Sequence, residues 1–215
     1  MTRKADEAAL KRRARAMLVA MTEREHWIYA VPRGAFAQLG QRIEAAGVAR
    51  AETADEGRVV RFGDDDRCRL VLFECEPLDV TFLEASGGDA VPLMKVLLDE
   101  HGFVPQSVLW TEAIDVGQPK LASRALRTLA HMMVVWDEDY VDLFLLHLAS
   151  PDAVARHEAV SAVTLAAMVA RDVEPAIELL GEARSREKFP KLAETIDEAV
   201  RVLREAGGHA AKVVD

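Results

Sequence analysis

The chain has 215 residues, half of them hydrophobic and 29% charged, with a net charge of −9 and an isoelectric point near 5.2. This is enough apolar material for a packed core, in one large domain or two small ones. The acidity argues against a surface-wide binder of phosphate backbones, because such affinity comes from Lys and Arg displacing counterions. The charge is uneven: residues 1–24 hold seven Lys/Arg and three Asp/Glu, a balance of +4, so the remainder carries −13.

The first predicted element is a helix over RKADEAALKRRARAMLVAM. Leu10, Ala14, Met17, Leu18 and Met21 form one apolar stripe, with Lys11, Arg12, Arg13 and Arg15 on the other sides. It reads as a packing helix with a solvated basic face, or as an arm for an acidic partner, nucleic acid or an anionic surface. Its apolar stretch AMLVAM ends after six residues at Thr22, Glu23 and Arg24, too short for a signal peptide. No apolar run approaches the ~20 residues of a membrane span.

HWIYAV (26–31) predicts a strand, and Pro32 then suits the first turn of a helix. RGAFAQLGQRIEAAG places Phe36, Leu39, Ile43 and Ala46 on one face and ends at Gly47, a C-cap. RVVRF and CRLVLFEC flank GDDD, a hairpin signal, and LDVTFLEAS is a further strand. Asp64, Asp65 and Asp66 at the hairpin tip read as a solvated turn. Cys68 and Cys75 on one strand would lie about 23 Å apart on opposite faces, out of disulfide reach. Two free thiols suggest a reducing compartment, so the expected setting is the cytoplasm of a bacterial-type cell. GGDAVPLMKVLLDEHG closes this part as a helix bounded by glycines, with His101 suited to the helix dipole in its last turn.

Beyond Gly102 the β signal vanishes. The helix-periodic remainder is punctuated by Pro105, Pro119, Pro151, Pro175 and Pro190, most of them where a helix would begin. Shifting it by 34 residues aligns Gln118, Asp152 and Arg186; Leu121, Ala155 and Phe189; Ala125, Ala159 and Ala193; and Thr128, Ala162 and Ile196. Leu129 falls on Val163, and the match fails at Asp197. The small residue at 125, 159 and 193 is the strongest element, as a close helix–helix approach needs one. Three helical hairpins follow: 104–114 with 119–135, 139–149 with 152–170, and 174–184 with 190–206. One hairpin cannot bury its apolar face alone, but three stacked can. The expected fold is therefore an α+β N-terminal unit (1–100) with a basic N-terminal helix, then an all-α array of helical hairpins (103–207) and a flexible tail (208–215). Solenoid ends need capping, and the α+β unit is the expected cap.

The middle unit resembles a HEAT-type repeat through Asp152, Arg156, Ala159, Ala162 and Val163, with Ala155 where that family usually has Val. The resemblance covers about 100 residues, is weakest in the third unit, and implies an α-α superhelix that binds other proteins. From the residues alone, Asp152 can cap the second helix, and Arg156 can pair with it or with the adjacent repeat. RHEAV also resembles one His–Glu motif of the HEAT-like deoxyhypusine hydroxylases, which implies His157 and Glu158 as iron ligands. A di-iron site needs several such pairs. One period earlier stand Ser123 and Arg124, and one period later Lys191 and Leu192. The bland reading, two solvent-side residues, is preferred, and no metal or other cofactor is expected. There is no HExxH, Gly-rich phosphate loop or GxSxG.

VVWDEDYVD puts Trp136 and Tyr140 among Asp137, Glu138, Asp139 and Asp142 in a connection between hairpins. They read either as plugs for the joint or, with Arg156 and His157, as a partner-binding patch, since aromatics anchor interfaces and acidic rims steer basic partners. Trp110, His131 and His147 read as core or capping residues. The leading functional reading is non-catalytic: an adaptor or scaffold that binds another protein through the helical face. The alternatives are an enzyme with a site between sheet and helices, using His26, Glu74, Glu76 or Asp79, a nucleic-acid-binding protein similar to the HEAT-like DNA glycosylases, and an acidic chaperone-like or immunity-type protein with one tight ligand.

Overall fold

The structure is a computed structural model that describes residues 26–65 and 67–210. The expected basic helix at 3–21, Asp66 and the end of the expected tail lie outside the described residues. Five antiparallel strands are followed by helices. The strands are β1 (His26–Pro32), β2 (Arg50–Ala54), β3 (Val59–Asp65), β4 (Cys68–Cys75) and β5 (Val80–Ser86), in sheet order β1-β5-β4-β3-β2. Helix α1 (Phe36–Ala45) follows β1, and α2 (Ala90–His101) follows β5.

The period-2 alternation of the strands gives the sheet two apolar faces. Val31, Leu70, Leu72, Leu83 and Ala85 pack with Leu39 and Ile43 of α1 and with Met94 and Leu97 of α2. Ala30, Cys75, Val80 and Phe82 form the other face, against Val104 and Met132. Cys68 packs with the first cluster and Cys75 belongs to the second, so the two thiols do stand on opposite sides.

Two local expectations are corrected. Pro32 does not begin a helix. It pairs with Val80 at the end of β1, and a short 3-10 turn (Arg33–Ala35) leads into α1 at Phe36. An extended proline at a strand end gives up no ladder hydrogen bond that its missing N–H would have made. Strand β2 has no apolar alternation and was not anticipated as a separate strand. Pairing with β3 forms it, and polar contacts hold it: Arg61 to Glu52 at 2.5 Å and Arg50 to Glu44 at 3.0 Å. Its bulge between Arg50 and Glu52 and its charges suit an unshared sheet edge. Gly63 has φ +74, and a Cβ there would sit 2.0 Å from the Cys68 carbonyl oxygen, so the β3–β4 irregularity requires glycine.

The remaining helices are α3 (Gln106–Ile114), α4 (Pro119–Met132), α5 (Glu138–Leu148), α6 (Ala153–Ala170), α7 (Glu174–Arg186) and α8 (Pro190–Ala210). They share one apolar core. The second helices pack in succession, α4 on α6 and α6 on α8, while α3, α5 and α7 lie against their own partners. Ala125, Ala159 and Ala193 are all buried in these second helices. Two polar contacts recur at a constant separation of 34 residues. Gln106 Nε2 donates to the Tyr140 hydroxyl oxygen at 2.8 Å, and His147 Nε2 donates to the Ala113 carbonyl at 2.8 Å. Both contacts join α3 to α5 and so fix the register of the second hairpin on the first.

Helix α6 is long and apolar enough, by length and composition, to cross a membrane. Its hydropathy comes from residues such as Ala159, Val160, Ala162, Val163 and Ala166, which lie in the array core.

The sheet meets the array through α4. The Val104 N–H donates to the Ala30 carbonyl at 2.8 Å. His131, at the end of α4, lies with its ring centroid 4.5 Å from that of Phe82 and 5.9 Å from that of Phe73. Burial, helped by the nearby Arg127 charge, pushes its pKa down to about 4. His131 is therefore neutral when folded but takes a proton in the unfolded chain below about pH 6.5. Stability is then full above that pH and is lost as pH falls from about 6.5 to 4, by at most about 3 kcal/mol for this group. Urea titrations at pH 7 and pH 4.5 should show that loss shrinking in His131→Phe.

The close helix approach gives a second test. Ala159→Leu adds bulk to a fully buried position between neighbouring helices and should cost about 1–3 kcal/mol. Ala193→Leu, in the last helix, should cost less in the same urea denaturation assay.

Candidate interaction site at the hairpin turns

The turns inside the three hairpins (115–118, 149–152 and 187–189) separate α3 from α4, α5 from α6 and α7 from α8. In the middle turn the Asp152 carboxylate accepts from the Val154 N–H at 2.9 Å and so caps α6. Arg156, one turn into α6, reaches back to the carbonyls of Ser150 at 2.9 Å and Pro151 at 3.2 Å. Its Nε and Nη2 donate forward to both oxygens of Glu187, at 2.7 and 3.0 Å. Glu187 also accepts from the Phe189 N–H at 2.8 Å. The Arg156 hydrogen bonds, foremost among these contacts, hold the Glu187 carboxyl down to about 2. Glu187 is only 5% exposed at its side chain. Two successive turns are thus fastened by a forked, charge-assisted pair. Arg127 and Glu158 make a looser pair at 3.2 Å between α4 and α6.

Next to this fastening lies a groove of about 320 Å³. Leu145, Leu148 and Ala149 form one wall at the end of α5, and Ala183, Arg186 and Lys188 the other at the end of α7. Phe189, the next residue, is 52% exposed, and Val154 at the start of α6 is 67% exposed. Large apolar side chains left in water beside a concave surface are a feature of interaction sites.

The aromatic connection at 136–140 is placed differently. Tyr140 is 5% exposed and meets Trp110 edge-on at 5.2 Å. Trp136 donates its indole N–H to the Asp172 carbonyl at 2.9 Å and packs edge-on to Phe144 at 5.8 Å. The Asp137 carboxylate accepts from the Tyr140 N–H at 3.0 Å and caps α5. Tyr140 as a partner anchor is therefore corrected: both rings plug the joint between hairpins, because their polar tips find internal acceptors or donors there. Glu138 and Asp139 stand exposed in the first turn of α5. Arg156 is likewise turned inward, onto Glu187.

His157 is exposed and Glu158 is engaged by Arg127. Among the described residues no group of three or more His, Cys, Asp or Glu is arranged to hold a metal ion. Of the residues named for a site between sheet and helices, Glu74 and Glu76 meet at one cation and His26 stands apart from them. Glu74 and Glu76 both face Arg33, at 3.2 and 3.4 Å. His26 is at the opposite end of the sheet, paired with Glu84 at 2.9 Å. Asp79 occupies a left-handed turn position, φ 54, before β5.

Sequence reasoning missed Glu187, Lys188 and the exposure of Phe189. One signal was present: Glu187 lies 31 residues after Arg156, and Glu158 lies 31 after Arg127. Comparison of the chain with protein-family models, with curated proteins and with solved structures finds no match.

Breaking the fastening tests its role. Arg156→Ala leaves the shielded Glu187 carboxylate without its cation and should lower stability by about 1–3 kcal/mol. The companion Glu187→Gln in a double-mutant cycle should show strong coupling, read from urea midpoints.

Proposed function

We propose that this chain is a non-catalytic protein-binding module, an adaptor or scaffold, whose helical part is a short HEAT-like superhelix. The partner docks on the edge formed by the hairpin turns, at the groove between the second and third hairpins. One observation carries this reading: a groove lined by Leu145, Leu148 and Ala183 is fastened by Arg156 and Glu187, and Phe189, next in sequence to the lining residue Lys188, is left largely exposed. A surface held rigid before binding loses less conformational freedom when a partner arrives. A large aromatic ring is the kind of anchor around which interface energy concentrates.

The in-register contacts of the first two hairpins, Gln106 with Tyr140 and Ala113 with His147, support the array part of the reading, since stacked hairpins present a row of turns. The net charge of −9 weighs against nucleic acid as the general partner.

Replacing Phe189 in the full-length chain by a photo-crosslinking phenylalanine analogue tests the proposal in cells. Illumination should join this position, and position 154 likewise, to the same discrete protein. The same label at the exposed Asp99 of α2 should give no such product. Identical products at all three positions, or none at 189 and 154, would sink the reading.

A further inference from the structure

One wall of the groove gathers cations on a chain that is acidic as a whole. From Arg184 to Lys191 the sequence RSREKFPK holds four cations, Arg184, Arg186, Lys188 and Lys191, and one anion, Glu187. That anion is already spent: both of its oxygens accept from the Arg156 guanidinium. Arg184 and Arg186 have exposed carboxylate neighbours, Asp197 at 2.8 Å and Glu182 at 2.6 Å. Such exposed pairs are weak and readily exchanged. Lys188, on the groove wall, and Lys191 make no ion pair among the described residues. A positive lip therefore borders the apolar side chains of Leu145, Leu148 and Ala183 on a chain whose net charge is −9.

We propose that the segment taken by this groove is a short acidic stretch of a partner protein that carries a large apolar side chain. The proposal rests on the binding-module reading and adds the chemistry of the occupant. The apolar side chain enters between Leu145, Leu148 and Ala183 and packs against Phe189. The flanking carboxylates face Lys188, Lys191 and Arg186. Residues 25–215 sum to −13, so most of this part of the chain repels an acidic segment, and the lip is where such a segment is favoured among the described residues. The same long-range repulsion disfavours a nucleic-acid strand or an anionic membrane, each of which would present charge over a much wider area. The groove is at the small end of the range for ligand sites, so it fits single side chains from an extended segment rather than a folded surface.

The full-length protein panned against a library of random linear peptides tests this. Enriched sequences should be net acidic and carry Leu, Phe or Trp. Labelled copies, titrated by fluorescence anisotropy, should bind more weakly as salt rises. Their affinity should fall about tenfold or more in Phe189→Ala and in the double variant Arg186→Glu with Lys188→Glu, and should be unchanged in Asp99→Lys. All substituted side chains are exposed, and thermal melting confirms that the variants remain folded. Enrichment of neutral or basic peptides, no enrichment, or acidic peptides indifferent to these substitutions overturns the proposal. So does binding of single-stranded RNA or phosphatidylserine vesicles that is lost in the charge-reversed variant while acidic peptides do not bind. A protein crosslinked through position 189 by a segment that is not acidic overturns this inference alone. Absence of any crosslinked protein overturns the binding-module reading beneath it.

Discussion

The helical half of this protein depends on how closely its second helices approach one another. Ala125, Ala159 and Ala193 sit in α4, α6 and α8, and all three are buried. Ala125 and Ala159 belong to the shared apolar core, where a methyl group takes little space and the larger Leu and Val side chains fill the rest. The first helices of the first two hairpins, α3 and α5, are joined in register. The Gln106–Tyr140 and Ala113–His147 contacts then fall at one separation without separate design. The Arg127–Glu158 and Arg156–Glu187 pairs share a second one.

The same stacking decides what becomes of the polar and aromatic residues. Trp136 and Tyr140 fall where one hairpin meets the next, so their rings close that seam. Arg156 falls where two turns come together, so its five N–H donors are divided between the turn carbonyls behind it and Glu187 ahead. Residues at the outer side of those turns find no neighbouring hairpin to cover them, and Phe189 and Val154 remain in water. Exposure at this edge is thus a consequence of stacking in one direction only.

The sheet ends the stack on the side of α4. Its two-sided apolar alternation means that α1 and α2 cover one face only. The other face needs Val104, Met132 and the ring of His131. His131, packed against two phenylalanine rings, is held neutral by burial, which makes this junction sensitive to acid.

Much of the architecture was legible in the sequence, because it is written in local periodicity. The six helices of the array lie within four residues of their expected ranges, since proline, helix period and the 34-residue repeat are properties of neighbouring residues. Strands β1, β3, β4 and β5 were visible for the same reason. Strand β2 was not, because RAETA has no apolar pattern and becomes a strand only by pairing with β3. The expected aromatic patch was displaced because composition reveals an anchor but not the direction in which it points. The groove was invisible in turn, since its walls come from the ends of α5 and α7, more than thirty residues apart. What the sequence determined alone was the helices of the array, four of the five strands, their order and the alternating faces of those strands, all consequences of chain-local patterns. Which side chains face solvent, which cation meets Glu187 and where an apolar surface is left uncovered were decided only by tertiary packing, because each depends on residues that the chain brings together from a distance.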